Sequence, residues 1–544
     1  MFRSRLLILP TVLLVAAAAL GTAYQGNPRL VVILIIDQFR GDYLERYHDE
    51  FGPSGFRTFT DHGAYFPACY YNYANTRTAP GHATIGTGTY SMDHGIFSNE
   101  WWDAAHKAMV SSVADDSTKL VGTDVEAPGS SPHNLLSDTL GDELRLATQG
   151  NSRVYGIGLK DRAAILTTGF SANAAFWLDH TSGAWVTSTY YMQTAPHWLA
   201  MFNEPSRARK YLNLDWKNNN GELMGSTAPH EGPDGKPVDY FDLVGSTPYA
   251  NDYEFEFARE LIEQEKLGQG TATDLLVISL SANDILGHQV GPDSPQIHAM
   301  ALALDRQIGD FMGFLARQFG LPQVWVVLSA DHGIAPLTET VTKLHIPGEV
   351  ASISDMPKEL SKAVATRLGR SGEYVRSVSF PIVFLDADAF PPKYSEADAE
   401  LFVAAAMKGA GFRSAFTKQQ LAEGEVPPTP LGRMYANSYS PYGGWWVMGL
   451  PAPYTLARTS GTDHGMPYGY DQHVPLAFYG IPFKSGIYRE QVEPIDLAPT
   501  LAVLLGINKP TSATGRVLTE AFVPPAPSVA SPPARSRPAP EPHP

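Results

Sequence analysis

Cysteine is almost missing from these 544 residues: Cys69 stands alone. One thiol excludes an internal disulfide and every cysteine-built metal site, so any metal bound here must be held by Asp, Glu and His. Positive charge is also in short supply, with 40 Lys and Arg against 56 Asp and Glu and a formal net charge of −16. That balance argues against a nucleic-acid-binding surface as the main business of the chain. Long apolar runs are confined to the first 23 residues; no other run of 18 apolar residues occurs, so no second membrane span is expected. Hydrophobic residues as a class are not lacking. At 44% they are ordinary for a globular protein, which sets aside wholesale disorder and fibrous classes.

The start of the chain predicts its compartment. Arg3 and Arg5 precede an apolar stretch from Leu6 to Leu20, followed by Gly21-Thr22-Ala23. This is the pattern of a secretory signal peptide over residues 1–23, with a retained membrane anchor as the alternative. No cysteine follows the apolar stretch, so a lipid anchor is unsupported. Cleavage would remove two arginines and no acids, taking the net charge to −18. A soluble exported protein, periplasmic or secreted, is the expectation. At the other end nine prolines fall between Pro524 and Pro544; residues 523–544 are expected to form a disordered tail, because they carry too little apolar surface to offset their ordering entropy.

Between these ends, short β-branched runs alternate with helical patterns. Leu30–Ile36 runs straight into Asp37, Leu275–Leu280 into Ser281-Ala282-Asn283-Asp284, Val324–Leu328 toward Asp331-His332, and Val154–Leu159 into Lys160. Near-continuous apolar strands predict an α/β fold, with a largely parallel sheet covered by helices on both faces. In such sheets ligands bind beyond the carboxyl ends of the strands, which is where the polar residues recur. Residues 24–522 read as one catalytic domain, with insertions expected at about 165–270 and 340–460 that rise over the site. The aromatics of the first insertion, such as Trp177, Trp185 and Trp198, read mostly as its packing.

Asp284 and His288 are four residues apart, which on a helix puts them on one face. Alone, that spacing equally describes a solvated helix. Asp331-His332-Gly333 leaves a buried strand, and Asp463-His464-Gly465 nearly repeats it. With Asp37 these make three aspartates and three histidines, each just past a strand or in a glycine turn. Six ligands without sulfur suit two zinc ions, each with an open position. Thr78, in Thr76-Arg77-Thr78-Ala79-Pro80-Gly81-His82, opens a predicted helix. There a hydroxyl next to a metal would become a nucleophile, and without one would be a simple N-cap.

Taken together, the motifs resemble the alkaline phosphatase superfamily, specifically its zinc-dependent bacterial phosphatases of the PafA type with a threonine nucleophile. The resemblance rests on I-I-D-Q-F-R (35–40), T-A-P-G-H (78–82), H-G-I-F-S-N-E-W-W-D (94–103) and G-L-K-D-R-A-A-I (158–165). It continues through N-D-I-L-G-H (283–288), S-A-D-H-G (329–333), G-T-D-H-G (461–465) and I-D-L-A-P-T-L-A-V-L-L-G-I (495–507). It implies one zinc held by Asp284, His288 and His464, and a second held by Asp37, Asp331, His332 and the Thr78 oxygen. Asn99, Lys160 and Arg162 match the phosphate-contacting positions. His82 and His473 are rivals as ligands and are read as structural. The implied reaction is in-line attack by Thr78, a phosphothreonine intermediate and its hydrolysis.

Charge favours a small-molecule phosphate monoester as the substrate. Three aspartates and an alkoxide balance two Zn²⁺, leaving Lys160 and Arg162 to meet a dianion. A phosphodiesterase or nucleotide pyrophosphatase using the same metals is the alternative, and that branch lacks the Lys-x-Arg pair. A sulfatase is disfavoured, because Cys69-Tyr70-Tyr71-Asn72-Tyr73 does not fit a formylglycine motif. A binding protein without turnover and a mutase or transferase are the remaining classes. Oligomeric state is not legible in the sequence.

Overall fold

The computed structural model describes residues 26–232, 235–458 and 460–523. The expected signal segment lies outside them, and so does the proline-rich tail after Val523.

Eleven strands form the central sheet. Eight of them matter here: β1 (Leu30–Ile36), β2 (Ala64–Tyr70), β3 (Val154–Gly158), β4 (Ala174–Leu178), β5 (Trp185–Ser188), β6 (Asp274–Leu280), β7 (Val324–Ser329) and β8 (His473–Tyr479). Their order across the sheet is β2-β8-β7-β1-β6-β3-β4-β5. The five strands from β7 to β4 are parallel, whereas β8 runs antiparallel to β7 and to β2. All seven residues of β1 are buried, as are those of β6. A strand with both faces covered has no use for polar alternation, and each such Val, Leu or Ile contributes about 1.5–3 kcal/mol of burial.

Helices cover the sheet in two groups. Thr78–Thr87 (α1), Asp161–Thr168 (α2) and a late helix, Leu497–Leu505, pack together; Pro248–Gln264 (α3), Ala282–Val290 (α4) and Pro295–Phe319 (α5) form the other group.

The expected insertion at 165–270 needs correction. Its strand β4 pairs in parallel with β3, Tyr155 opposite Ala174 and Gly158 opposite Trp177. Its helix α3 and its aromatics join the main core, where the Trp185 and Phe257 rings stack with centroids 4.2 Å apart. Asn and Gly turns between these pieces gave the stretch an irregular look, although the buried elements themselves belong to the sheet. Residues 340–460 behave differently. They build an antiparallel four-stranded sheet from Val375–Ser379, Ile382–Leu385, Ser414–Thr417 and Trp446–Leu450. Val383, Val403, Met407 and Val447 lie in its own apolar cluster. This lobe packs against the segment before Asn99, with Trp446 stacked on Phe97 at 5.1 Å.

Candidate metal centre

Four neighbouring parallel strands end level with one another. Ile36 of β1 is opposite Leu280 of β6, and the N–H of Asp37 still donates to the Leu280 carbonyl at 3.1 Å. Ser329 closes β7 opposite Ile35, and two residues later come Asp331 and His332. Beyond β6 the chain turns into α4, where Asp284 and His288 stand one turn apart. Gly158 closes β3 opposite Ser279, and Lys160 then caps α2, whose first turn carries Arg162.

Two segments enter from outside these four strands. Thr78 is the first residue of α1, whose ten residues are all buried. Its carbonyl accepts from His82 Nδ1 at 2.9 Å, and the next N–H, of Ala79, donates to Asn99 Oδ1 at 2.8 Å. The 461–465 loop is pinned by Thr462, whose N–H donates to the His288 carbonyl at 3.0 Å.

The three expected histidine ligands share one arrangement. Each gives its Nδ1 proton to a backbone carbonyl: His288 to Thr462 at 2.9 Å, His332 to Gly333 at 2.9 Å and His464 to Thr76 at 2.7 Å. Carbonyls only accept, so Nδ1 carries the proton and Nε2 presents a lone pair, the tautomer a metal requires. His332 Nε2 lies 3.4 Å from Asp37 Oδ1 and 3.5 Å from Asp331 Oδ2. All three atoms are buried without a hydrogen-bond partner among the described residues. Three converging acceptors with no donor call for a cation. Asp37, Asp331 and His332 form one group of potential ligands whose atoms lie within 4.8 Å of one another.

The other half is looser. Asp284 Oδ1 is 3.2 Å from His288 Nε2 and 3.8 Å from His464 Nε2. The groups whose ligand atoms lie within 4.8 Å of one another, however, join Asp284 and His464 with His332, and His288 and His464 with Asp463. Six oxygen and imidazole donors in two overlapping sets fit a pair of borderline divalent ions such as zinc.

Electrostatics point the same way. Burial, with Asp284 and Asp331 adding to it, pushes Asp37 well above the usual carboxylate range. Burial also opposes charge on Asp284 and Asp331, but Lys160 and His288 hold the first well below its ordinary value, and His332 and His82 hold the second low. Burial lowers His332 and His464, keeping both neutral and competent as ligands. At His288 burial works downward, and the adjacent Asp284 carboxylate more than reverses it.

The remaining expected site residues are close by. The Lys160 ammonium bridges Asp37 Oδ2 and Asp284 Oδ2, both at 2.5 Å, so it spans the two halves. Arg162 keeps a buried Nε without a hydrogen-bond partner among the described residues. Of the rivals, His82 borders the site, with Nδ1 3.3 Å from Asp331 Oδ2, but its Nε2 is taken up by Ser279 Oγ at 2.8 Å; His473 Nε2 pairs away from it, with the Pro67 carbonyl at 2.7 Å. Sequence reasoning passed over Gln38, Asp463 and Asp471. The first two sit inside motifs that drew attention for their neighbours; Asp471 carries no local signal.

Known proteins resemble this chain along most of its length. The profile of the type I phosphodiesterase / nucleotide pyrophosphatase family matches residues 31–366. A protein of Myroides odoratus named calcium-transporting ATPase is 32% identical over 93% of this chain and 96% of its own length. Alkaline phosphatase PhoV of Synechococcus elongatus is 32% identical, covering 91% of this chain and 93% of its own. The crystal structure of alkaline phosphatase PafA, a protein of Elizabethkingia meningoseptica, superposes with a TM-score of 0.83 at 30% identity, over 92% of this chain and 100% of that one.

Proposed function

The chain belongs to the type I phosphodiesterase / nucleotide pyrophosphatase family, and from that premise we propose that it is an exported alkaline phosphatase. It hydrolyses phosphate monoesters through a phosphothreonine at Thr78. One zinc is held by Asp284, His288 and His464, the other by Asp37, Asp331, His332 and the Thr78 oxygen. The observation that carries this reading is the buried trio of Asp37 Oδ1, Asp331 Oδ2 and His332 Nε2, left without a donor among the described residues.

Bound there, two divalent ions supply Lewis acidity and neutralise developing charge. Thr78, at the head of α1 where the positive end of the helix dipole favours an anion, attacks phosphorus in line with the departing alkoxide. Water then cleaves the phosphothreonine and restores the hydroxyl. Asn99 is oriented by its bond from the Ala79 N–H, which engages Oδ1 and leaves the amide nitrogen to donate to a phosphate oxygen. Arg162 offers a fork to two oxygens, and Lys160 a point charge. Their two positive charges suit a monoester dianion better than a diester monoanion. The terminal phosphoryl group of ATP is an anhydride, but like a monoester it carries a single substituent and presents three free oxygens, so the name of one relative calls for no second site.

Zinc-loaded Thr78→Ala is expected to lose hydrolysis of a nitrophenyl monoester by ~10³-fold or more. Turnover near that of the parent would sink the assignment. In the same assay Arg162→Ala should depress the monoester far more than the bis-nitrophenyl diester. The opposite ratio would favour the diesterase reading that the family's description also covers.

A further inference from the structure

Gln38 occupies the left-handed region of backbone space, with φ 64°. A glutamine adopts it at a cost, because Cβ crowds the neighbouring carbonyl; glycine would sit there freely. Strain of this kind persists where surrounding structure over-determines it, and it gathers at functional sites.

What holds Gln38 there is a pair of donations. Its backbone N–H donates to Asp331 Oδ1 at 3.0 Å, and its side-chain Nε2 donates to Asp284 Oδ1 at 2.6 Å. One residue therefore grips a carboxylate from each half of the metal centre. The two bonds leave Asp331 Oδ2 to face Asp37 and His332, and they fix the plane of Asp284, whose second oxygen is tied to Lys160. The amide nitrogen must face Asp284, since a carboxylate accepts. That turns Oε1 into a buried position without a hydrogen-bond partner among the described residues. Space for Oε1 exists because residue 287 is glycine: a Cβ there would lie 2.0 Å from it. A strained backbone, an unpaired amide oxygen and a cleared neighbour all accompany one gain, the hold on both carboxylates.

We propose that Gln38 is a positioning residue that sets the orientation and separation of Asp284 and Asp331, and so strengthens the looser, Asp284-bearing zinc subsite. The inference rests on the metal centre proposed above. It requires no contact between Gln38 and substrate.

Gln38→Asn and Gln38→Gly separate this role from plain packing. Asparagine tolerates the left-handed region but is one methylene too short for Asp284; glycine removes both the strain and the amide. Each variant and the parent would be titrated with zinc against a chromophoric chelator. Unfolding of the zinc-stripped proteins and monoester kcat and KM would be followed in parallel. In both variants the weaker zinc step should loosen ~10–100-fold. At limiting zinc, kcat should fall with it while KM stays near the parent value. In the zinc-stripped state the glycine variant, relieved of backbone strain, should melt above the asparagine variant, although both lose the bond to Asp284. Zinc curves identical to the parent in both variants would overturn the inference and leave the metal centre standing. A parent that takes up no zinc would overturn both.

Discussion

Asp331-His332-Gly333 and Asp463-His464-Gly465 are the same three residues in two settings, and the fold uses them differently. The first triplet leaves the end of a central parallel strand. Both of its candidate ligand side chains are fully buried, and both group with Asp37. The second lies in a loop with no strand beneath it, and only His464 is driven fully inward. Asp463 stays partly exposed: its Oδ1 accepts from the His464 N–H at 3.0 Å, and its carboxylate lies 3.9 Å from His288 Nδ1 and 4.0 Å from Arg458 Nε. Asp471 ties the triplets together. Its carbonyl accepts from the Gly333 N–H at 2.7 Å, and its carboxylate accepts from the Met466 N–H at 2.9 Å. A ligand's role is thus decided by how the backbone arrives, and tripeptide composition alone does not assign it.

The widest gap between the triplets should appear when each aspartate is removed. Asp331→Ala is expected to cost ~10³-fold or more in kcat/KM for a monoester, as loss of a charge-stabilising group does, and to cost one equivalent of bound zinc by metal analysis. Asp463→Ala should cost about 10-fold, as for a group outside the ligand set, and retain both equivalents. Equal losses would erase the distinction.

The glycines break the comparison in a second way, through stability. A Cβ on Gly333 would stand 2.3 Å from the Tyr470 carbonyl oxygen, and its three nearest neighbours are all backbone atoms of Tyr470 and Asp471, with no flexible side chain to yield. Gly465 has φ +104°, and its nearest neighbours are the Arg77 and Asn75 side chains at 3.3–3.4 Å. Gly333→Ala should therefore destabilise by about 3 kcal/mol or more, against about 1–2 kcal/mol for Gly465→Ala from backbone strain. Denaturant melts of the two proteins decide the order.

The smallest effect comes from a buried histidine outside both triplets. His94 is pulled down to about 3 by burial, and its Nδ1 accepts from the Ile96 N–H at 3.1 Å, so it is neutral in the fold. A folded value below the unfolded one means that the unfolded chain binds the proton first as pH falls below about 6.5. Stability is therefore lost in the acid direction, by about 1 kcal/mol from this group between pH 6.5 and 5.5. In zinc-stripped protein, His94→Asn should flatten that slope by the same amount. An unchanged slope would mean that His94 binds its proton equally well in the folded and unfolded chain, against the burial that pulls it down.

Sequence alone determined the buried strands, the polar residues at their carboxyl ends and the candidate ligands, because an apolar run and its turn are local and survive without knowledge of their neighbours. Only the tertiary structure decided that Ala174–Leu178 is a core strand, since its parallel partner lies across a turn and a helix. It also decided that Lys160 lodges between Asp37 and Asp284, over 120 residues away in each direction. Which aspartate of a repeated triplet turns inward, and which residue at positive φ grips both halves of the site, were settled there too. Those choices depend on where a backbone carbonyl or N–H from another segment stands to within tenths of an ångström, and packing sets that distance whatever residues flank the motif.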